Sequence, residues 1–299
     1  MNSTAFDIRP IAGALGAEIH GVDLSVPLTD SQFEFIHQTF LDYQVIFLPN
    51  QTLTPLEQRQ FAARFGELDT PRFIPPYQMP PLEGVPEIYQ VVKEADNDSV
   101  NIGGLWHADV TYRERPNLGS VAYVKESPLF GGDTIYANLY LAYEQLSQGM
   151  KDLLVGLDAI HSSNMPYGGA IARSLPVSRE HAPSDTERKF TMTSTESETI
   201  ELAHPVVRRH PETNRKLLYI NRGFTQRFAK MTDEESWPLL EFLFNQCERP
   251  EFCCRYRWAS GTVGVWDNRC VLHYALNDYF GQRRVMHRIS INESDRPRR

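Results

Sequence analysis

Cysteine is scarce in this 299-residue chain: there are four, Cys247, Cys253, Cys254 and Cys270, all in the last fifth and with no C-x-x-C spacing. That excludes a disulfide framework and a structural zinc site, and leaves free thiols packed as small apolar groups in a reducing compartment. Long apolar runs are missing as well. No stretch approaches the roughly eighteen residues of a membrane span, and Met1 to Pro10 lacks the apolar core of a secretory signal, so a soluble, cytoplasmic chain with no membrane partner is expected. Positive charge is in deficit: 30 basic residues face 38 acidic ones, a net charge of −8 and the wrong sign for gaining affinity by neutralising phosphates, which excludes nucleic acid as a partner. No Gly/Ser linker, long charge run or internal repeat divides the chain, and one domain over residues 1–299 is expected. With 41% hydrophobic and 23% charged residues, the composition excludes intrinsic disorder and leaves ample material for a core.

What is present begins with two helix signatures. Thr29-Asp-Ser-Gln32 has the spacing of a capping box, and Phe33, Ile36, Phe40 and Leu41 follow at helical intervals. A second box, Thr54-Pro55-Leu-Glu57, puts proline at the first helical position ahead of Phe61, Ala62 and Phe65. Between them Val45-Ile-Phe-Leu48 reads as a buried strand. The proline-rich stretch from Arg72 to Pro86 reads as a long surface loop, because proline removes backbone donors. Short β-type runs follow at Ile88–Val92, Ser120–Val124, Leu217–Ile220, Cys254–Trp258, Thr262–Trp266 and Arg288–Asn292, with one helical stretch from about Leu139 to Leu157. Strands outnumber helices without alternating with them. A mainly β, α+β chain built as a jelly roll or sandwich with helices around it is expected. The segment from Ser162 to Glu201, crowded with Ser, Thr, Pro and charges, reads as an active-site lid inserted at about 162–201.

Chemistry concentrates in Gly103-Gly-Leu-Trp-His107-Ala-Asp109-Val-Thr111. On an extended strand residues i and i+2 share a face, so His107 and Asp109 point together and could hold one metal ion. On the triplet alone, a histidine and a carboxylate on a polar strand face is the better reading. A second histidine far downstream, His273 in Trp266-Asp-Asn-Arg-Cys-Val-Leu-His273, makes the set two imidazoles and one carboxylate, the facial triad that leaves open positions on non-haem Fe(II). Arg284 and Arg288 follow, and guanidinium groups suit bidentate binding of anions near such a site. Trp106, Trp266 and Phe224 read first as core or pocket-wall aromatics, Asp267 and Asn268 as turn formers, and His204, His210 and His287 carry no ligand assignment.

These blocks make the chain similar to the taurine dioxygenase and 2,4-dichlorophenoxyacetate dioxygenase family of Fe(II)/2-oxoglutarate oxygenases. The likeness runs from Ile11 through Trp106-His-Ala-Asp-Val-Thr111, Gly131-Gly-Asp-Thr134, His204-Pro-Val-Val207, Tyr219-Ile-Asn-Arg-Gly-Phe-Thr225 and Trp266-Asp-Asn-Arg269 to Arg283-Arg-Val-Met-His-Arg288. The resemblance implies a double-stranded β-helix, a cupin-like jelly-roll core with surrounding helices. It also implies His107, Asp109 and His273 as iron ligands, Thr134 and Arg284 as the grip on the distal carboxylate of 2-oxoglutarate, and Arg288 facing the anionic group of the primary substrate. Phe224 and Asn221 match the block lining the substrate pocket, and Tyr77 belongs with them. The activity implied is hydroxylation of a C–H bond with Fe(II), O2 and 2-oxoglutarate, giving succinate and CO2, in a homo-oligomer, dimer or tetramer.

The sequence also departs from taurine enzymes. No histidine lies between His37 and His107, the loop Arg72-Phe-Ile-Pro-Pro-Tyr77-Gln-Met-Pro-Pro is mostly apolar, and Gly103 stands where taurine enzymes carry an asparagine. A substrate with one anionic group and a body bulkier or more apolar than that of taurine is expected: a longer sulfonate, an alkyl sulfate ester, an aryloxyalkanoate or another carboxylate. Two alternatives compete with this reading. A catalytically silent 2-oxoglutarate or anion binder would have no use for the triad, and a zinc hydrolase would have none for the paired arginines and Thr134.

Overall fold

A computed structural model of the protein describes residues 6–70, 79–97, 103–163 and 199–299. Tyr77 and nearly all of the expected lid, residues 164–198, lie outside these ranges. In chain order the strands are β1 (Asp7–Pro10), β2 (Ala17–His20), β3 (Val45–Leu48), β4 (Pro81–Leu82), β5 (Val85–Lys93), β6 (Asn117–Glu126), β7 (Thr134–Asn138) and β8 (Asp158–Ser162). They continue with β9 (Glu201–Pro205), β10 (Val207–Arg209), β11 (Lys216–Leu218), β12 (Thr225–Phe228), β13 (Cys253–Tyr256), β14 (Val263–Asp267), β15 (Val271–Ala275) and β16 (Arg284–Asn292). The helices are α1 (Asp30–Tyr43), α2 (Pro55–Ala63), α3 (Leu139–Glu144), α4 (Gln148–Leu154) and α5 (Asp233–Cys247).

Eight strands form one sheet in the order β1-β2-β3-β14-β6-β16-β5-β4, antiparallel except where β2 lies beside β3. Smaller sheets, β13-β7-β15, β12-β8-β9 and β10-β11, complete the mainly β architecture among the described residues. The two-residue period of a strand sorts its side chains between two cores. Val45 and Phe47 of β3, Ala122 and Val124 of β6 and Met286 of β16 pack with Tyr136, Ala137 and Leu272 of the β13-β7-β15 sheet. Their alternate neighbours Ile46, Leu48, Val121, Tyr123 and Ile289 pack under Ile36 and Phe40 of α1 and Phe61 of α2. Strands covered on both faces read as unbroken apolar runs, which is why all of Val45–Leu48 is buried. Both expected capping boxes are made, Thr29 with Gln32 and Thr54 with Glu57. The four thiols are free, three of them buried.

Several local expectations need correction. The helical stretch from Leu139 to Leu157 is two helices: α3 ends at Glu144, and the Ser147 hydroxyl starts α4 by accepting from the Met150 N–H. Helix α5 has no counterpart in the sequence reading, and it carries Pro238 inside it. It forms because Thr232 and Glu235 make a capping box, three acids occupy the first turn, and Leu240, Leu243, Phe244 and Cys247 bury at helical spacing. Within the proline-rich stretch, Pro81–Leu82 is an edge strand and Pro86 lies in β5, positions where a missing N–H is tolerated.

Candidate active site

The strand expected through His107 and Asp109 is not formed; His107 makes an isolated bridge and Asp109 enters a turn. The bridge partner is His273. The His107 N–H donates to the His273 carbonyl at 3.1 Å and the His273 N–H to that of His107 at 2.8 Å. Residues that exchange both backbone bonds stand directly opposite with side chains on one face, so the two imidazoles meet with centroids 4.1 Å apart. A residue of larger side chain than glycine at position 223 could not back this pair: a Cβ there would lie 2.8 Å from that of His107. Asp109 joins from the turn, its Oδ1 3.6 Å from Nε2 of His107 and 3.7 Å from Nε2 of His273.

Each of the three side chains is nearly removed from water. His107 donates Nδ1–H to the Leu105 carbonyl at 2.7 Å, which fixes the ring with Nε2 toward Asp109. His273 has no hydrogen-bond partner at either ring nitrogen, although both are buried. Burial first, then the neighbouring His107, holds His273 well below the ordinary imidazole range and therefore neutral. Burial opposes ionisation of Asp109, yet the Arg288 guanidinium beside it, helped by His273 and His107, holds its carboxyl far below the usual range. Two imidazoles and one carboxylate, with ligand atoms within 4.8 Å of one another and one imidazole unpaired, fit a divalent transition-metal ion.

A second group of possible ligands, His210, Asp267 and Cys270, does not fit one. Asp267 is already held by Arg269 at 2.8 and 2.7 Å and by His210 at 3.0 Å, while Nδ1 of His210 accepts from the N–H groups of Glu212 and Thr213. A guanidinium occupies the place of a cation.

Arg284 and Arg288 lie four apart on β16, an even separation that puts both on the face of Met286, toward β7 and β15. Cross-strand register sets Lys93 opposite Arg284 and Tyr89 opposite Arg288. Arg284 is 7% exposed, and its Nε has no partner. Thr134 is buried at the start of β7, and its Oγ1 accepts from Nε1 of Trp258 at 2.9 Å, leaving its own proton to donate. Arg288 donates to Asp109 and, at 2.9 Å, to Ser120 Oγ, with its guanidinium 4.6 Å from the Trp266 ring. Phe224 stands edge-on to His107 at 6.4 Å and against Tyr112 at 5.2 Å. Asn221 is 1% exposed and its amide is taken up internally, Nδ2 donating to Thr111 Oγ1 and Oδ1 accepting from the Phe224 N–H.

Ser120, Trp258 and Tyr89 were missed from sequence. Ser120 and Tyr89 reach Arg288 only through the pairing of β6 and β5 with β16, and no spacing rule reveals that.

A mainly β chain that buries a His-Asp-His cluster beside two arginines has the make-up of a non-haem, 2-oxoglutarate-dependent oxygenase. The profile of the TauD/TfdA family, described as taurine catabolism dioxygenase, matches residues 7–290. An alkylsulfatase of Acinetobacter baylyi is 36% identical, over 95% of this chain and 84% of its own length. An alpha-ketoglutarate-dependent sulfate ester dioxygenase of Pseudomonas putida is 34% identical over 95% of this chain and 89% of that protein. The crystal structure of a taurine dioxygenase from Burkholderia xenovorans superposes with a TM-score of 0.77 at 31% identity, covering 98% of this chain and 92% of that one. The chain belongs to the TauD/TfdA family and is a 2-oxoglutarate-dependent dioxygenase. No helix among the described residues is long and apolar enough to cross a membrane.

Proposed function

We propose that this chain oxidises the carbon next to the ester oxygen of a small, apolar alkyl sulfate ester. The carrying observation is the buried His107–Asp109–His273 cluster with Arg284 and Arg288 on one strand face beside it. His107, Asp109 and His273 would hold Fe(II), which would supply activation of O2. Arg284 and the Thr134 hydroxyl would grip the distal carboxylate of 2-oxoglutarate, a charge-assisted contact for which the unpartnered Nε of Arg284 is available. Arg288, held by Ser120 and stacked near Trp266, would take the sulfate group. Phe224 and Tyr77 would wall the pocket, and Asn221 would hold the Phe224 turn. With the ion bound, its charge and the two arginines would outweigh the single carboxylate Asp109, an excess that a dianionic cosubstrate and a monoanionic substrate would neutralise.

Hydroxylation of R–CH2–OSO3⁻ puts a hydroxyl on the carbon bearing the ester oxygen. The product collapses to an aldehyde and sulfate, while 2-oxoglutarate and O2 leave as succinate and CO2 plus the oxygen transferred. The proteins named for sulfate esters among the relatives, and the Gly103 and apolar-loop departures from taurine enzymes, support this class over taurine. One catalytic domain with a jelly-roll core, an active-site lid near 162–201, a cytoplasmic setting and assembly as a dimer or tetramer are part of the same proposal, on the family resemblance.

The test is succinate and sulfate release by the purified chain with Fe(II), ascorbate and 2-oxoglutarate, across alkyl sulfates, sulfonates, aryloxyalkanoates and taurine. Stoichiometric sulfate and succinate with a medium-chain alkyl sulfate is expected. Faster turnover of taurine than of every alkyl sulfate would overturn the assignment.

A further inference from the structure

Asp109 reaches the cluster through a backbone conformation that its successor resists. Val110 has φ of 46°, in the left-handed region, which a β-branched side chain rarely adopts. Such conformations persist where the surroundings over-determine them, and both neighbours of Val110 are held. On one side Asn268, fully buried, reads the Asp109 peptide twice: its Oδ1 accepts the Asp109 N–H at 2.5 Å, and its Nδ2 donates to the Asp109 carbonyl at 3.0 Å and to that of Asn117 at 3.0 Å. On the other side Thr111, also fully buried, has an Oγ1 that accepts from Nδ2 of Asn221 at 3.1 Å and lies 2.9 Å from Nδ1 of His161. The Arg113 N–H closes the turn on the Val110 carbonyl at 2.9 Å.

We propose that Asn268 is a positioning residue for the metal ligand Asp109: its carboxamide, with Thr111 on the far side, holds Val110 left-handed and so aims the Asp109 carboxylate between His107 and His273. This rests on the reading of those three residues as a metal site. The alternative is that Asn268 merely ties β14 and β15 to the neighbouring loop, in which case its loss weakens the fold without acting through Val110.

The two are separated by asking whether a residue that tolerates the left-handed region makes Asn268 dispensable. The probe is Mn(II) alone, free ion being counted by its electron paramagnetic resonance signal in titrations of the full chain. Wild type is expected to bind one ion and Asp109→Ala none; failure of wild type to bind would overturn the metal-site reading itself. Asn268→Ala is expected to weaken Mn(II) binding about 10–100-fold, the range seen when groups supporting a ligand are removed. Adding Val110→Gly to Asn268→Ala is expected to recover most of that affinity, because glycine enters the left-handed region without steric cost. An equal loss with and without Val110→Gly overturns the inference, as does an Asn268→Ala variant that binds like wild type. If Asn268→Ala does not fold, Thr111→Val, close in shape but without the hydroxyl, is compared with and without Val110→Gly, and the same outcomes decide.

Discussion

Two arginines four residues apart on the same strand face, beside the same His107–Asp109–His273 cluster, differ in what already occupies them. Arg288 is engaged by Asp109 and Ser120, whereas Arg284 keeps a buried Nε without a partner. A buried cation with an open donor is costly unless a ligand completes it, so the two positions should answer to different molecules. Arg284→Ala is expected to raise the KM for 2-oxoglutarate roughly 10–100-fold, the worth of a charge-assisted contact, with little change in the KM of the sulfate ester. Arg288→Ala is expected to do the reverse and also to lower kcat, because it releases Asp109 from its partner. Initial rates with each substrate varied in turn decide the matter, and an unchanged sulfate ester KM in Arg288→Ala would sink the division of labour. At this scale the sequence was informative where residue chemistry is distinctive. His107, Asp109, His273 and both arginines were legible from type and order. The grip of Asn268 on Asp109 was not, since 159 positions separate them and asparagine is common in turns.

At the scale of elements, the Asn221–Thr225 turn is carried to the cluster by α5, the helix the sequence reading missed. Arg222 donates Nε to both carboxylate oxygens of Glu248 at 2.7 and 3.0 Å, and its other nitrogens reach Glu241 and Asn245. The next residue, Gly223, donates its N–H to the Trp106 carbonyl at 3.1 Å, immediately before His107. Helix, turn and ligand loop are thus joined through two consecutive residues. Arg222→Ala would strand the mostly buried Glu248 carboxylate, and a loss of about 3 kcal/mol in urea unfolding is expected, the lower end for a buried pair because Glu241 is partly in water. Phe224 should loosen with it, so the sulfate ester KM is expected to rise while that of 2-oxoglutarate stays put. Equal shifts in both constants would place the effect outside the turn. The capping box at Thr232 and the apolar stripe that follows it are visible in the sequence in principle, and together they outweigh the proline inside the helix.

Across the whole molecule, one chain of charges runs from the outer helix to the turn that carries Asn268. His37 on α1 lies 3.1 Å from Glu212, Glu212 accepts from Arg269 at 2.6 Å, and Arg269 clamps Asp267, the residue before Asn268. These contacts join α1, the β10–β11 connection and the end of β14, none of them adjacent in sequence. No periodicity could have announced the chain, although Trp266-Asp-Asn-Arg269 marked one of its ends. Its pH dependence follows from the direction of each shift. Glu212, hydrogen-bonded first to His37 and then held by Arg269 against the effect of burial, is pushed down to about 2 from an ordinary value near 4.5. An acid lowered on folding gives stability that is complete above its unfolded value and disappears as pH falls toward the folded one. His37 is raised by the same contact, so its share is complete below about 6.5 and is lost as pH climbs through its folded value. Between those limits the pair contributes most. Glu212→Gln is expected to cost about 0.5–1 kcal/mol near pH 5.5, a modest figure because a third of the Glu212 side chain stays in water. The gap from wild type should narrow as pH is lowered from 4.5 toward 3 and narrow again above pH 7. Urea unfolding of both chains at half-unit steps measures it. A gap that stays constant from pH 6 to pH 3 would mean that Arg269 is held by Asp267 alone, and that α1 is joined to the Asn268 turn by packing rather than by charge.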